Sequence, residues 1–268
     1  MAGCLHAAAQ DCLRAATPEE KVGRTFDAFE RFSRGELAAQ ADAPAPEPIG
    51  MPGRPQRPRL VHPRDLPRRG FGTREGLAAF VHAVAHIEFN AIDLAWDAVY
   101  RYRGMPARFY ADWAAVAFDE ARHFTMLRGR LRELGHDYGD FDAHHGLWEM
   151  AEKTAHDGLA RMALVPRVLE ARGLDVTPGM IAKLRQLGDD ATADILEVIL
   201  REEVGHVAAG SRWFRWHCEQ RGLEPRSTFK ALLAEYARAV LYGPFNRAAR
   251  LEAGFDADEL ESLETLAN

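Results

Sequence analysis

The sequence predicts an all-α fold built around a four-helix bundle, and three observations carry this prediction. Apolar residues recur at three- and four-residue intervals over long stretches, and no stretch alternates as a β-strand does. Glycine and proline occur at the joins between these stretches, where helices stop and start. Two of the stretches contain the motif Glu-x-x-His, and each motif follows another glutamate by 32 or 33 residues. Two similar helical hairpins would produce this spacing.

Composition indicates a protein with a packed core. The chain has 268 residues, of which 47% are hydrophobic, and a mean hydropathy of −0.30, which suits one large helical domain. A net charge of −6 argues against nucleic acid as the main partner, although it leaves a tRNA substrate open. The three cysteines lack metal-finger spacing, and no apolar run reaches membrane-spanning length. We therefore expect reduced thiols, a cytoplasmic protein and no membrane span.

The region before the bundle has two parts. Residues 1–41 predict two helices that meet at Thr17, the expected cap before a proline at the first helical position. Residues 42–72, called the strap here, are rich in proline and arginine and predict extended chain. The sequence leaves open whether the strap is a free linker or lies on the bundle. Its arginines are Arg54, Arg57, Arg59, Arg64, Arg68 and Arg69.

Residues 73–222 predict the four helices of the bundle. The first helix begins after Thr73, and Gly104 separates it from the second. Gly104 is also the midpoint between the first two glutamates of the motif pattern, as the turn of a hairpin should be. The second helix ends near Gly135.

The third helix, from about Leu147, is expected to be irregular. Pro166 should kink it, and residues 173–178 should interrupt it. The fourth helix begins near Asp189, an expected cap. Residues 223–268 predict a helical tail after the bundle.

Six side chains in the four helices form a pattern of metal ligands. Residues three apart on a helix share a face, so each Glu-x-x-His presents a carboxylate beside an imidazole. With one glutamate from each preceding helix, the motifs supply four carboxylates and two imidazoles. This is the ligand set of di-iron or di-manganese four-helix bundles. The candidate ligands, which are also the candidate catalytic residues, are Glu88, Glu120, His123, Glu170, Glu203 and His206.

Alternatives remain for some of these roles. On the third helix, Glu149 and Glu152 compete with Glu170, which we favour because it would lie near mid-bundle like the other three glutamates. Metal-bound imidazoles usually donate their second N–H to a carboxylate or carbonyl, so residues beside the ligands are candidates for support. These candidates are Asp119, Glu202 and His86. The alternative role of Asp119 and Glu202 is to form part of a solvated acidic surface. The alternative role of His86 is packing.

Several sequence blocks resemble a known family. The segments Pro52–Pro63 and Ala85–Ala95 are similar to the ferritin-like family catalogued as domain of unknown function 455. Further similar blocks are Asp119–His123, Glu170–Asp175 and Glu202–Val207. The resemblance extends over roughly residues 5–255 and implies a ferritin-like bundle with a dinuclear metal centre. It supports Glu170 as the third-helix ligand, but it implies no particular reaction.

The ligand set and the resemblance together predict a di-iron carboxylate protein. We expect two iron ions as cofactors, with manganese as an alternative metal. The expected activity is an O₂-activating oxidoreductase of hydroxylase or monooxygenase type, acting on a small or nucleoside-type substrate. Such an enzyme needs O₂ and an electron donor, and the sequence leaves a homodimer open. The alternatives are a ferroxidase or other iron-handling protein, and a bundle whose metal is purely structural.

Overall fold

The computed structural model describes residues 2–40, 43–67, 69–237 and 242–267. These residues are mostly helical, which confirms the all-α prediction. The chain divides into two compact units, Met1–Trp148 and Glu149–Asn268, called the first and second unit here. The predicted ferritin-like bundle and its domain boundaries stay predictions.

Two short helices open the first unit. They are α1 (Leu5–Leu13) and α2 (Pro18–Ser33). Thr17 caps α2 as predicted: its side chain accepts from the Glu20 N–H, and the Glu20 carboxylate accepts from the Thr17 N–H. The sequence predicted no strand, but two-residue strands β1 (Gly3–Cys4) and β2 (Leu37–Ala38) pair in parallel. This pairing joins the residues before α1 to the residues after α2.

The main hairpin of the first unit consists of α3 (Arg74–Arg101) and α4 (Ala107–Glu133). Thr73 caps α3 by accepting from the Gly76 N–H at 3.0 Å, and Gly104 adopts a positive φ of 69° in the turn. Both start and stop signals are therefore confirmed. Helix α1 packs on α3, and α2 packs on α4. An 18-residue window of α3 is apolar enough to cross a membrane, yet 67% of it is buried, as in a core helix.

The strap lies on the first unit and is not a free linker. The Gly53 N–H donates to the Leu13 carbonyl at 2.7 Å, and the Trp148 indole N–H donates to the Gly50 carbonyl at 2.7 Å. These hydrogen bonds satisfy polar backbone groups of the strap. The strap is extended and, because of its prolines, has few N–H groups that could form such bonds. A 3₁₀ turn (Pro63–Asp65) follows. Arg68, one of the strap arginines, lies outside the described residues.

The second unit contains the other long helix and an irregular partner. In chain order the elements are α5 (Gly146–Lys153), which contains the point of division, α6 (Gly158–Leu164), a π-helical segment (Val165–Glu170), α7 (Ala171–Gln186) and α8 (Asp190–Gln220). Helix α6, the π-helical segment and α7 all pack on α8. The Asp189 carboxylate accepts from the Thr192 N–H at 3.2 Å, so the predicted cap of α8 is confirmed.

The third predicted helix is divided into several elements. A turn separates α5 from α6, and Asp157 caps α6 by accepting from the Leu159 N–H at 2.9 Å. The irregularity expected at Pro166 takes the form of the π-helical segment, in which wider turns accommodate the missing N–H. Gly210 of α8 makes room for it, because a Cβ there would lie 2.3 Å from Pro166 Cγ.

The predicted interruption at residues 173–178 is wrong, since α7 continues through it with Pro178 inside the helix. A proline removes the N–H that would donate to the carbonyl four residues earlier, here that of Leu174. The Asn246 side-chain amide donates to this carbonyl at 3.1 Å instead. Asn246, 72 positions away in the sequence, thus satisfies the carbonyl that Pro178 leaves without its helical donor. Local sequence patterns could not predict this hydrogen bond.

The tail of the second unit contains four helical segments among its described residues. It comprises α9 (Pro225–Leu232), a π-helical turn (Leu233–Ala237), α10 (Arg247–Glu252) and α11 (Ala257–Ala267). The Arg250 guanidinium pairs with the Asp175 carboxylate at 2.7 Å, and both side chains are almost fully buried. This ion pair fixes α10 on α7.

We expect Asn246→Ser to lower the free energy of unfolding by about 1 kcal/mol, the typical value of one hydrogen bond. Serine still caps α10, where Asn246 accepts from the Ala249 N–H, but it is too short to reach Leu174. In a Pro178→Ala background the alanine N–H can donate to Leu174, so the cost should largely disappear. Chemical denaturation of the four proteins in this cycle provides the measurement. Equal costs in both backgrounds would contradict the explanation.

Candidate metal centre

Three of the predicted ligands converge in the first unit. Glu88 lies on α3, and Glu120 and His123 lie one turn apart on α4. His123 Nδ1 is 3.0 Å from Glu88 Oε2 and 3.4 Å from Glu120 Oε2. Each residue offers one ligand atom, and these atoms lie within 4.8 Å of one another. Glu88 and Glu120 face each other across the α3–α4 hairpin because both are about 16 residues from Gly104 in its turn.

This group is buried, and burial controls its protonation. The exposed fraction is 4% for Glu88, 1% for Glu120 and 0% for His123. Burial raises the pKa of Glu88 well above its usual value, and the charge of Glu120 adds to the effect. Burial alone would lower the pKa of His123, but hydrogen bonds to Glu120 and Glu88 outweigh it and raise the pKa to about 11. Without a cation, the group therefore retains protons to neutralise its carboxylates.

The same group fits a metal ion. Two carboxylates and one imidazole are a common donor set for iron, manganese and zinc. A cation between them would replace the proton on His123 Nδ1 as the counter-charge of Glu88 and Glu120. The structure thus supports a Glu/His group that can hold a metal ion, and it does not select the metal.

A second pair of predicted ligands lies in the second unit. His206 Nδ1 is 3.3 Å from Glu203 Oε1 on α8, and both residues are buried. Glu170 is the last residue of the π-helical segment and is half-buried, whereas its competitors Glu149 and Glu152 are exposed. This difference favours Glu170, because ligands of a buried ion must be buried themselves. Since the two groups belong to different units, their union in one centre is a proposal.

The candidate supporting residues have other contacts. Asp119 pairs with Arg122 at 2.8 Å on a half-exposed face, and Glu202 is half-buried, so their role as supporting residues stays a prediction. His86 Nε2 donates to the His144 carbonyl at 2.9 Å, so its Nδ1 accepts from the Tyr138 hydroxyl at 2.8 Å. Burial lowers the pKa of His86 to about 3, so the imidazole is neutral. Its described bonds connect α3 to the loop before α5.

Apart from His86, sequence reasoning missed a row of buried polar residues on the face of α3 roughly opposite Glu88. The members recur every three or four residues: His82, His86, Asn90, Asp93 and Asp97. Asp93 forms an ion pair with Lys21 of α2, which is 0% exposed. The strap covers a cavity of about 20 Å³ beside Asp93, enough for one water molecule. The regular spacing was visible in the sequence and could have revealed this row.

The protein is mostly helical and contains a buried group of carboxylates and an imidazole that could hold a metal ion. The chain belongs to the family described as "Protein of unknown function (DUF455)", which matches residues 14–261. The family membership implied by the sequence blocks is therefore confirmed. The ferritin-like placement of that family stays a prediction.

One relative is a protein of Haemophilus influenzae that carries the name "Uncharacterized protein". It is 44% identical over 261 residues, which cover 94% of this chain and 91% of the relative. No solved structure matches the chain.

Proposed function

We propose that the two groups form one di-iron centre and that the protein is an O₂-activating oxidoreductase. The observation that carries this proposal is the buried group of Glu88, Glu120 and His123 in the first unit. Glu203 and His206 repeat the Glu-x-x-His motif in the second unit. The distance from imidazole Nδ1 to carboxylate is 3.3 Å in this pair and 3.4 Å between His123 and Glu120. A repeated Glu-x-x-His with one further glutamate for each copy is the ligand pattern of dinuclear carboxylate proteins.

Charge balance supports two ions. The four glutamates, Glu88, Glu120, Glu170 and Glu203, carry four negative charges when they are ionised. Two divalent cations carry four positive charges, whereas a single ion would leave two negative charges that only bound protons could compensate. Buried charges are stable only when they are compensated. A dinuclear centre therefore neutralises the site fully, with neutral imidazoles from His123 and His206.

Bound iron would supply the reduction of O₂ and the oxidation of an organic substrate. The residues of the chain bind the cations, fix the orientation of the ligands and exclude bulk water by their burial. Glu170 ends a π-helical segment, and such segments occur frequently at functional sites. We propose a small or nucleoside-type substrate, a separate electron donor and a cytoplasmic location for this enzyme. The three cysteines, all without a disulfide bond, are consistent with that location.

The function can be tested by loading the protein with Fe(II) under anaerobic conditions and then adding O₂, a reductant and candidate substrates. The candidates are small apolar compounds and free nucleosides. We expect O₂ consumption that depends on iron and yields an oxygenated or dehydrogenated product, detected by mass spectrometry. Glu120→Ala, loaded in the same way, is the matched control and should give no product.

Other outcomes of this experiment would change the assignment. O₂ consumption without product, with ferric iron accumulating far beyond two ions per chain, would indicate an iron-handling protein. Metal binding without O₂ consumption would indicate a structural metal. Either result would overturn the oxidoreductase proposal.

A further inference from the structure

The π-helical segment carries an arginine in an unusual environment. Arg167 is 1% exposed, and its Nη2 donates to Glu259 Oε1 at 2.8 Å. Its guanidinium carbon lies 4.7 Å from the ring centre of Phe214, 4.2 Å from that of Phe229 and 4.4 Å from that of Phe255. Three elements of the tail, α9, α11 and the turn before α11, therefore hold this side chain, together with α8.

Burying a guanidinium in this way costs free energy, which makes it an inefficient way to stabilise a fold. Among the described residues, Nε and Nη1 of Arg167 are buried without a hydrogen-bond partner. Burial lowers the pKa of Arg167, and Glu259 offsets this only in part. Replacing a buried ion pair by apolar residues of similar volume is often neutral or stabilising. A role in stability alone would therefore not require an arginine here, which leaves room for a further role.

The geometry of the segment suggests that explanation. Arg167 and Glu170 are three residues apart, and in an α-helix such residues share a face. A π-helix closes its hydrogen bonds one residue further along the chain, so its wider turns separate the two side chains. Arg167 can then reach the phenylalanine rings while Glu170 projects from a different face. On the other side, Pro166 packs against Gly210 of α8, where a Cβ would lie 2.3 Å from Pro166 Cγ.

We propose that Arg167 is a positioning residue for Glu170. By binding Glu259 and the three phenylalanine rings, it keeps residues 165–170 in the π-helical conformation and so sets where the Glu170 carboxylate lies. The C-terminal tail thereby becomes part of the support of the metal centre. This inference rests on the proposed function, because it takes Glu170 to be a metal ligand.

The test compares the full-length wild type with the double variant Arg167→Met/Glu259→Gln, using Co(II) alone as the probe. Methionine fills the arginine volume, and glutamine at position 259 can keep the cap that Glu259 provides to the Asp256 N–H. We expect unchanged or higher thermal stability. We also expect a loss in Co(II) affinity of about 10–100-fold, the usual effect of losing a residue that supports a ligand. The visible absorption of the bound Co(II) should change as well.

Arg161→Met provides a matched control in the same unit. Arg161 is also 1% exposed, but it donates to the Thr154 hydroxyl at 2.9 Å and to the Ala151 carbonyl. Its removal should lower thermal stability and leave Co(II) affinity unchanged, the reverse of the effect at Arg167. If the double variant does not fold, Arg167→Lys keeps the charge beside Glu259, and its affinity should be intermediate.

The outcomes separate this inference from the proposed function. If the wild type binds no Co(II), the proposed function fails and this inference fails with it. If the wild type binds Co(II) and the variants at Arg167 keep its affinity and spectrum, only this inference is overturned. An equal loss of affinity in Arg161→Met would overturn it too, because the effect would then be a general loss of structure.

Discussion

Glu120→Ala and Glu203→Ala should each abolish tight metal binding, although they lie in different units. Each removes a carboxylate that we assign to the same dinuclear centre, so the loss should exceed the 10–100-fold that follows loss of a merely supporting residue. Removal of one ligand also leaves the site short of one negative charge for two divalent ions. The measurement is metal content per chain after loading with Fe(II) and removal of free metal.

Two exposed glutamates on the same helices serve as controls. Glu133 ends α4 and pairs with Arg130, and Glu197 lies on α8 and pairs with Arg185. Their alanine variants should bind metal as the wild type does. If Glu203→Ala also kept its metal while Glu120→Ala lost it, the centre would belong to the first unit alone.

The metal-free protein should lose stability as the pH rises, and the effect should be large. The pKa of His123 is about 11 in the folded protein, above its ordinary value of 6.5. A group with a raised pKa contributes stability that is fully present below its unfolded pKa and is lost as the pH rises through the folded one. His123 alone should therefore lower the free energy of unfolding of the metal-free protein by several kcal/mol between pH 6.5 and pH 9.5, on the order of 1 kcal/mol for each pH unit.

The raised pKa of Glu88 acts in the same direction, because its ionisation in the folded protein is also unfavourable. Bound metal removes this dependence, since the cation replaces the protons, so metal-loaded protein should be more stable near pH 8 than near pH 5. Chemical denaturation with and without a chelator, from pH 5 to 9.5, measures both trends. His123→Gln is the control and should remove the contribution of His123 to this pH dependence, while the contribution of Glu88 remains. Metal-free stability that increases with pH would refute the electrostatic description of the group.

Local signals in the sequence predicted the ends of the main helices well. Thr17, Thr73 and Asp189 all cap helices because a cap depends on a side chain and an N–H only two or three residues away. The continuation of α7 through Pro178 could not be predicted in this way. It depends on Asn246, whose position relative to Leu174 is fixed only by tertiary packing.

The same distinction applies to the candidate site. Glu88, Glu120 and His123 could be predicted because helical periodicity and hairpin symmetry determine their positions. The division of the third helix could not, since the π-helical segment and the surroundings of Arg167 involve residues of the tail up to Glu259. The strap was also ambiguous, because composition predicts an extended chain but not the hydrogen bonds that place Gly53 on the first unit.

A crystal structure of the iron-loaded protein, with anomalous diffraction at the iron edge, would show directly whether both units contribute ligands to one di-iron centre. We expect two iron peaks per chain, with ligands from both units: Glu88, Glu120, His123, Glu170, Glu203 and His206. A single peak held by the first unit alone, or no peak at these residues in protein that contains iron, would contradict this expectation.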